Sequence, residues 1–344
     1  MSSSAGTLTG RPARFVGGLR ELAAGVYAWL QPNGAWGEAN AGLVLGGDGS
    51  LLVDTLWDQR LARAMLEAMA ELTEEAPIRF VVNTHSDGDH WWGNGAIPAG
   101  AQIVTSVPSR KVMNDEAAPS ELARMARLAA YGSRLPGPAG ALGSYVSAML
   151  SPFDFAAVRV RLPDRTFSRE ETLDLGGRKA RLIEVGPAHT PGDAIVDIPD
   201  VGVVFAADVL FVEATPVMWF GPLQGWLKAL ETLLSLDAQV YLPGHGPPGD
   251  RAAVLELRDY LVWLDEATRQ QHAAGHTPLD AARAMIASSE FARWRGWECP
   301  ERLLITITTI YRSLDGHGPV GVSPLARARL FSQIGALSRE LRPA

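Results

Sequence analysis

Thr84-His85-Ser86-Asp87-Gly88-Asp89-His90 places two imidazoles and two carboxylates in six consecutive residues, His85 to His90, directly after the β-branched run Phe80-Val81-Val82. Four ligand-type groups on a loop at a strand end can converge on one point from a short length of backbone. Imidazole mixed with carboxylate is what zinc, iron and manganese accept at catalytic sites. In isolation the segment could be a polar turn, so its weight depends on the rest of the chain.

The chain has seven histidines, and four lie in polar, Gly/Pro-marked loops at strand ends. Besides His85 and His90, His189 sits in Gly186-Pro-Ala-His-Thr-Pro-Gly-Asp193, after a strand ending at Val185. His245 sits in Leu242-Pro-Gly-His-Gly-Pro247, and Asp208 ends the apolar run Val203-Val-Phe-Ala-Ala207. A single histidine is usually structural. Four at strand termini, accompanied by Asp87, Asp89 and Asp208, point to a metal site.

Turn signals at Pro32-Asn33-Gly34 and Gly46-Gly47-Asp48-Gly49 separate the apolar runs Val26–Leu30, Ala41–Leu45 and Leu51–Val53. Three consecutive antiparallel strands are expected there. Residues 58–73 have helical composition, with Leu61, Met65 and Met69 spaced by four. Further strands are expected at Ile78–Val82, Ile103–Thr105, Ala180–Val185, Ala194–Ile198 and Val201–Ala206. Residues 108–163 form an Ala-, Leu-, Gly- and Pro-rich helical insertion, either a lid over the cluster or a decoration on its rim. Within it, Ser120 caps a helix to about Ala130, and Leu135–Gly143 is expected as loop. After Gly249 the pattern is helical throughout. Stripes run along Val254, Leu257, Leu261 and Leu264, and along Leu303, Ile307, Ile310 and Leu314 after Pro300-Glu301. A last helix opens at Ser323-Pro324 and carries Leu330, Ile334, Leu337 and Leu341.

Of the 344 residues, 47% are hydrophobic and 20% charged, as in a globular protein with a full core, and the net charge of −7 speaks against a nucleic-acid partner. One cysteine, Cys299, rules out an intrachain disulfide and thiolate metal clusters. The N-terminal segment lacks the charged start and apolar core of a secretory signal, and no stretch reaches the roughly 20 apolar residues that span a bilayer. A cytoplasmic enzyme without a membrane partner is the expectation. Residues 1–18 are expected to be disordered.

Taken together, these segments resemble the metallo-β-lactamase superfamily, whose five motifs occur in order across about residues 20–250. They are Leu51-Leu-Val-Asp54, the His85–His90 loop, His189-Thr-Pro-Gly, the strand-end Asp208-Val-Leu-Phe, and Pro-Gly-His245-Gly. Asp208 falls 19 positions after His189. The resemblance implies an α/β fold: an αββα sandwich over 19–250 with metals at one edge between the sheets, carrying the helical insertion and followed by a helical extension over 251–344. It places His85 and His189 on a first metal, and Asp89, His90 and His245 on a second. Asp208 bridges the two, and Asp54 braces the loops without being a ligand. Asp87 stands where the family has its second histidine. It is expected to contribute to the first site, directly or through water, because an unpaired carboxylate beside Asp89 and Asp208 would be repelled without a cation.

The implied activity is hydrolysis of a small-molecule ester, thioester or lactone by hydroxide generated on one or two zinc ions, with Asp89 orienting the attack and shuttling the proton. The carboxylate at Asp87 leaves iron or manganese open. An iron-dependent oxidoreductase or dioxygenase, or a β-lactamase-like amide hydrolase, is the alternative. Trp91, Trp92 and Asn94 are expected to stiffen the metal loop by packing, and the tail helices to cover the domain near the site, extending to a homodimer contact.

Overall fold

Short apolar runs broken by turn residues become strands, and the parallel pairs among them need helical crossovers. The computed structural model describes residues 12–114, 118–318 and 324–341. Its first half contains β1 (Gly18–Ala23), β2 (Val26–Leu30), β3 (Ala41–Gly46), β4 (Gly49–Val53), α1 (Gln59–Ala68), α2 (Ala70–Thr73) and β5 (Ile78–Val82). There follow α3 (Gly88–Trp91), β6 (Gln102–Ser106), α4 (Val107–Met113), α5 (Pro119–Gly132), α6 (Gly137–Leu150) and β7 (Arg165–Phe167). The second sheet is built from β8 (Glu170–Asp174), β9 (Lys179–Glu184), β10 (Ala194–Ile198), β11 (Val203–Phe211) and β12 (Val240–His245), with α7 (Leu223–Ser235) joining the last two strands. The tail comprises α8 (Arg251–Ala273), α9 (Pro278–Ala287), α10 (Leu303–Leu314) and α11 (Pro324–Glu340).

The seven-stranded sheet runs β1 to β7 in sequence order. It is antiparallel up to β4 and parallel from β4 to β7. The five-stranded sheet has the order β12-β11-β10-β9-β8 and is antiparallel except for the β11–β12 pair. Alternating side chains send Val44, Leu51, Val53 and Val82 to one face of the first sheet, where they meet Leu182, Val196 and Phe205 in the inter-sheet core. Leu43, Leu52 and Val81 point the other way, against Leu61 and Met65 of α1 and Val146 and Leu150 of α6. Ile183, Ile195 and Val204 form the outer face of the second sheet and pack on α7 and the tail helices. Three cores between four layers make an αββα sandwich with a helical extension. Among the described residues, no helix is long and apolar enough to cross a membrane.

The three antiparallel strands form as the turn signals predict, and the β-branched run Ile305–Ile310 lies inside α10. Of Leu135–Gly143, expected as loop, Leu135 and Pro136 lie before the helix, whereas Gly137–Gly143 is instead the start of α6. Pro138 falls in the first turn, where its missing N–H costs nothing. Gly143 serves as a contact point: a Cβ there would lie 2.4 Å from Ser133 N on the end of α5. The glycines and prolines that resemble loop punctuation therefore let α5 and α6 close as a hairpin. Of the segment expected to be disordered, residues 1–11 lie outside the described residues, whereas Phe15 packs on the inter-sheet core and Gly18 begins β1. The Ser323 helix start also lies outside them.

Val254, Leu257, Tyr260, Leu261 and Leu264 of α8 are buried in the same core as Trp226 and Leu230 of α7 and Leu330, Ile334 and Leu337 of α11. Leu261→Ala should destabilise the protein by about 2–5 kcal/mol, because the site is fully enclosed and cannot collapse freely. Chemical denaturation measures this directly, and a loss below about 1 kcal/mol would show that the tail is not integral to the core.

Candidate metal centre

The cluster gathers where strands of both sheets end. Asp54 follows β4, His85 and Asp87 follow β5, and Asp89 and His90 lie on α3. From the second sheet come His189 after β9, Asp208 within β11 and His245 at the end of β12. Asp208 turns inward because β11 is irregular: Ala207 adopts φ 47°, and the β11–β12 register shifts on both sides of it. Such a bulge re-aims the next side chain. Gly244 on β12 leaves the room required, since a Cβ there would lie 1.8 Å from Asp208 Oδ1.

Asp208 occupies the middle. Its Oδ1 is 3.1 Å from His90 Nε2, and its Oδ2 is 3.3, 3.6 and 3.9 Å from Nε2 of His189, His245 and His85. Asp87 Oδ2 lies 3.1 Å from His189 Nε2, and Asp89 Oδ2 lies 3.5 Å from His245 Nε2. Three sets emerge whose ligand atoms lie within 4.8 Å of one another: His85, Asp87 and His189; Asp89, His90 and His245; and His85, His90 and Asp208. All seven residues singled out in the sequence are thus brought together. The side chain of Asp87 is 29% exposed and that of Asp89 16%, against 5% or less for the other five, so these two carboxylates are the ones solvent reaches.

Outer hydrogen bonds fix three imidazoles the same way round. His90 Nδ1 donates to Asp54 Oδ2 at 2.8 Å, because a carboxylate can only accept. Thr84 Oγ1 donates to the same oxygen and therefore accepts from His85 Nδ1 at 3.0 Å. His189 Nδ1 donates to the Val217 carbonyl at 2.6 Å. Each ring then turns its Nε2 toward the cluster. His245 is held by stacking on Phe211, with ring centroids 5.3 Å apart and planes 6° from parallel.

His85 Nε2 is buried without a hydrogen-bond partner, and His90 Nε2 and Asp208 Oδ1, 3.1 Å apart, face each other without a well-directed hydrogen bond. Buried polar atoms left unpaired and facing one point are what a cation would satisfy. Three carboxylates and four imidazoles suit one or two divalent ions of the zinc, manganese or iron type. The field of the cluster is strong. Burial, then His90, pushes the His85 imidazole down to about 4. Burial opposes the charging of His90 and His189, yet Asp208 and Asp54 raise His90 well above its ordinary range, and Asp87 and Asp208 bring His189 to about 10. Burial would also raise Asp208 and Asp89, but His245 and His90 hold Asp208 well below the carboxylate range, and His90 and His245 hold Asp89 at about 2.

Two supports went unassigned in the sequence. Thr84 joins Asp54 to His85, donating also from its backbone N–H to Asp54 Oδ1 at 2.8 Å. Asp193 closes the His189 turn, accepting from Ala188 N, Thr190 N and Thr190 Oγ1, and burial pushes its carboxyl up to about 6. A Thr adjacent to the first histidine and an Asp four residues after His189 were the available signals. Trp91, Trp92 and Asn94 stiffen the loop as expected: all three are buried, Trp91 Nε1 donates to Ser86 O, and Asn94 exchanges hydrogen bonds with Asn83.

The chain belongs to the metallo-beta-lactamase superfamily, whose sequence profile matches residues 34–245. It is 25% identical over 259 residues to the 2,4-dinitroanisole O-demethylase subunit alpha of Nocardioides sp. (strain JS1661), covering 73% of this chain and 62% of that protein. Among solved structures, the stereoselective inverting sec-alkylsulfatase Pisa1 from Pseudomonas sp. superposes with a TM-score of 0.64 at 20% identity, over 87% of this chain and 50% of that one. A metallo-beta-lactamase from Pontibacter korlensis superposes with a TM-score of 0.51 at 20% identity, over 71% of this chain and 97% of that one. The chain therefore spans only about half to two thirds of the length of the first two.

Asp54→Ala should reduce zinc affinity by about 10–100-fold, because both His85 and His90 lose their orienting partner. Isothermal titration of metal-free protein checks this, and unchanged affinity would remove Asp54 from its bracing role. Zinc uptake at pH 7 should release about two protons, since His90 and His189 have raised pKa values and must give up protons to bind. Affinity should accordingly fall as pH is lowered. Uptake without proton release in weakly buffered solution would contradict the assignment.

Proposed function

We propose that the protein is a metal-dependent hydrolase of a small-molecule ester, thioester or lactone. The observation that carries this reading is the convergence of seven His and Asp side chains into three sets whose ligand atoms lie within 4.8 Å of one another. In this reading His85, Asp87 and His189 would hold one divalent ion, Asp89, His90 and His245 a second, and Asp208 lies between the two sets. Ions held there would supply Lewis acidity and would lower the pKa of water from about 15.7 to about 7. Asp89 is ionised at neutral pH and solvent reaches it, so its Oδ2 can take the proton of the attacking water and return it to the leaving group. Asp54, Thr84 and the Val217 carbonyl keep the imidazoles from turning during turnover.

The half-buried rings of Trp36, Phe331 and Trp219 form a row, with centroids 6.2 and 6.4 Å apart. Trp36 follows Gly34, which abuts the His245-Gly246 backbone, and Trp219 lies two residues after Val217. The net charge of −7 disfavours a polyanion and suits a small organic substrate. Two relatives are named for acting on an O-linked group of a small organic molecule, an alkyl sulfate and an aryl methyl ether, which supports bond cleavage at oxygen. We take the protein to act in the cytoplasm.

The carboxylate of Asp87 beside His189 favours a second reading, an iron-dependent oxidoreductase on the same fold, because it hardens the ligand set. Metal analysis of protein purified without added metal separates the two. Zinc or manganese together with turnover of an ester, thioester, lactone or alkyl sulfate supports the hydrolase. Iron together with oxygen consumption supports the alternative. Chelation should abolish hydrolysis and zinc or manganese should restore it. Full activity after thorough demetallation would sink the proposal. Asp208→Ala should lower kcat at least about 100-fold with an unchanged circular dichroism spectrum.

A further inference from the structure

The Val217–Met218 peptide unit links the tail to His189. Its carbonyl accepts from His189 Nδ1 at 2.6 Å, and its N–H donates to Thr306 Oγ1 at 3.2 Å. The hydroxyl of α10, the peptide and the imidazole thus form one continuous hydrogen-bonded line. One turn further along α10, Thr309 Oγ1 donates to the Met218 carbonyl at 2.8 Å, fixing the next peptide as well. Val217, Met218, Thr306 and Thr309 are all buried, so no water competes for these groups. The same loop is tied to the tail at its start, where Thr215 N donates to Glu298 O and Glu298 N donates to Glu213 O.

We propose that Thr306 is a positioning residue for the metal centre: it sets the plane of the 217–218 peptide, whose carbonyl holds His189 with Nε2 facing Asp87 and Asp208. The inference rests on the metal-centre reading above and extends it to a residue more than 60 positions beyond the matched family region. Neither hydroxyl would be needed if the loop were held by packing alone. A peptide whose N–H is already engaged is also a stronger acceptor at its carbonyl, because hydrogen bonds in a chain polarise one another. The tail helix therefore acts on one of the two metal positions, the one served by His85, Asp87 and His189.

The test is zinc titration of the full-length metal-free protein, comparing wild type, Thr306→Val, Thr306→Ser and the packing control Ile310→Val, with thermal denaturation in parallel. Thr306→Val should weaken one zinc step by about 10–100-fold and leave the other intact. Thr306→Ser should restore it. Ile310→Val should lower the melting temperature without altering zinc affinity. If Thr306→Val loses stability as the control does but binds zinc as the wild type, Thr306 is merely structural and the proposal falls. Absence of zinc binding by the wild type would overturn the metal-centre reading itself, which is a distinct result. Should Thr306→Val fail to fold, Thr306→Ala takes its place in the same titration, and wild-type zinc affinity there overturns the proposal.

Discussion

The Asp54 carboxylate is the constraint on which the site is built. It is buried at the end of β4 and accepts from Thr84 N, Thr84 Oγ1 and His90 Nδ1. Those bonds draw the loop after β5 across to the neighbouring strand and orient two imidazoles with one side chain. The residue adopts φ 62°, a left-handed conformation that Asp tolerates at modest cost. The Thr84 carbonyl then accepts from Ala194 N of β10, so the brace reaches the second sheet. Asn40 makes the corresponding link on the other side, donating to the carbonyls of Pro243 and Gly246 around His245. The sheets are thus tied at both flanks of the cluster.

Much of the fold and most of the candidate site are legible in the sequence because their signals are local. A β-branched run followed by His or Asp in a polar turn identifies a strand and the side chain at its end. Apolar spacing of three and four identifies the tail helices without reference to what they pack on. The features that escape are those in which a local signal has a distant cause. Gly143 resembles a loop residue, but its role is to let α5 approach α6. The Arg20-bearing strand β1 is half-exposed at a sheet edge and lacks an apolar run. Thr306 sits in a β-branched stretch with no polar pattern, and only the folded chain brings its hydroxyl to the loop after β11.

Asp87 supplies a carboxylate where the resemblance to the family leads one to expect an imidazole. That carboxylate reaches His189 and belongs to the same set as His85. It is also the most exposed of the seven side chains, and so the one with the greatest freedom to move. An anionic donor that can swing toward solvent gives one ion a firmer electrostatic hold and a looser geometric one.

The cluster is also drawn from both halves of the sandwich: Asp54 to His90 from the first sheet, His189 to His245 from the second. Neither sheet alone presents a complete set. A cation can be captured only after the halves have met across contacts that are far apart in sequence. A bound ion therefore acts as a rivet between the sheets. At a hundredfold excess over its dissociation constant it adds about 2.7 kcal/mol to stability, and it adds almost nothing when scarce. The stability of the folded protein would then follow the free metal concentration, quite apart from whether any substrate is present.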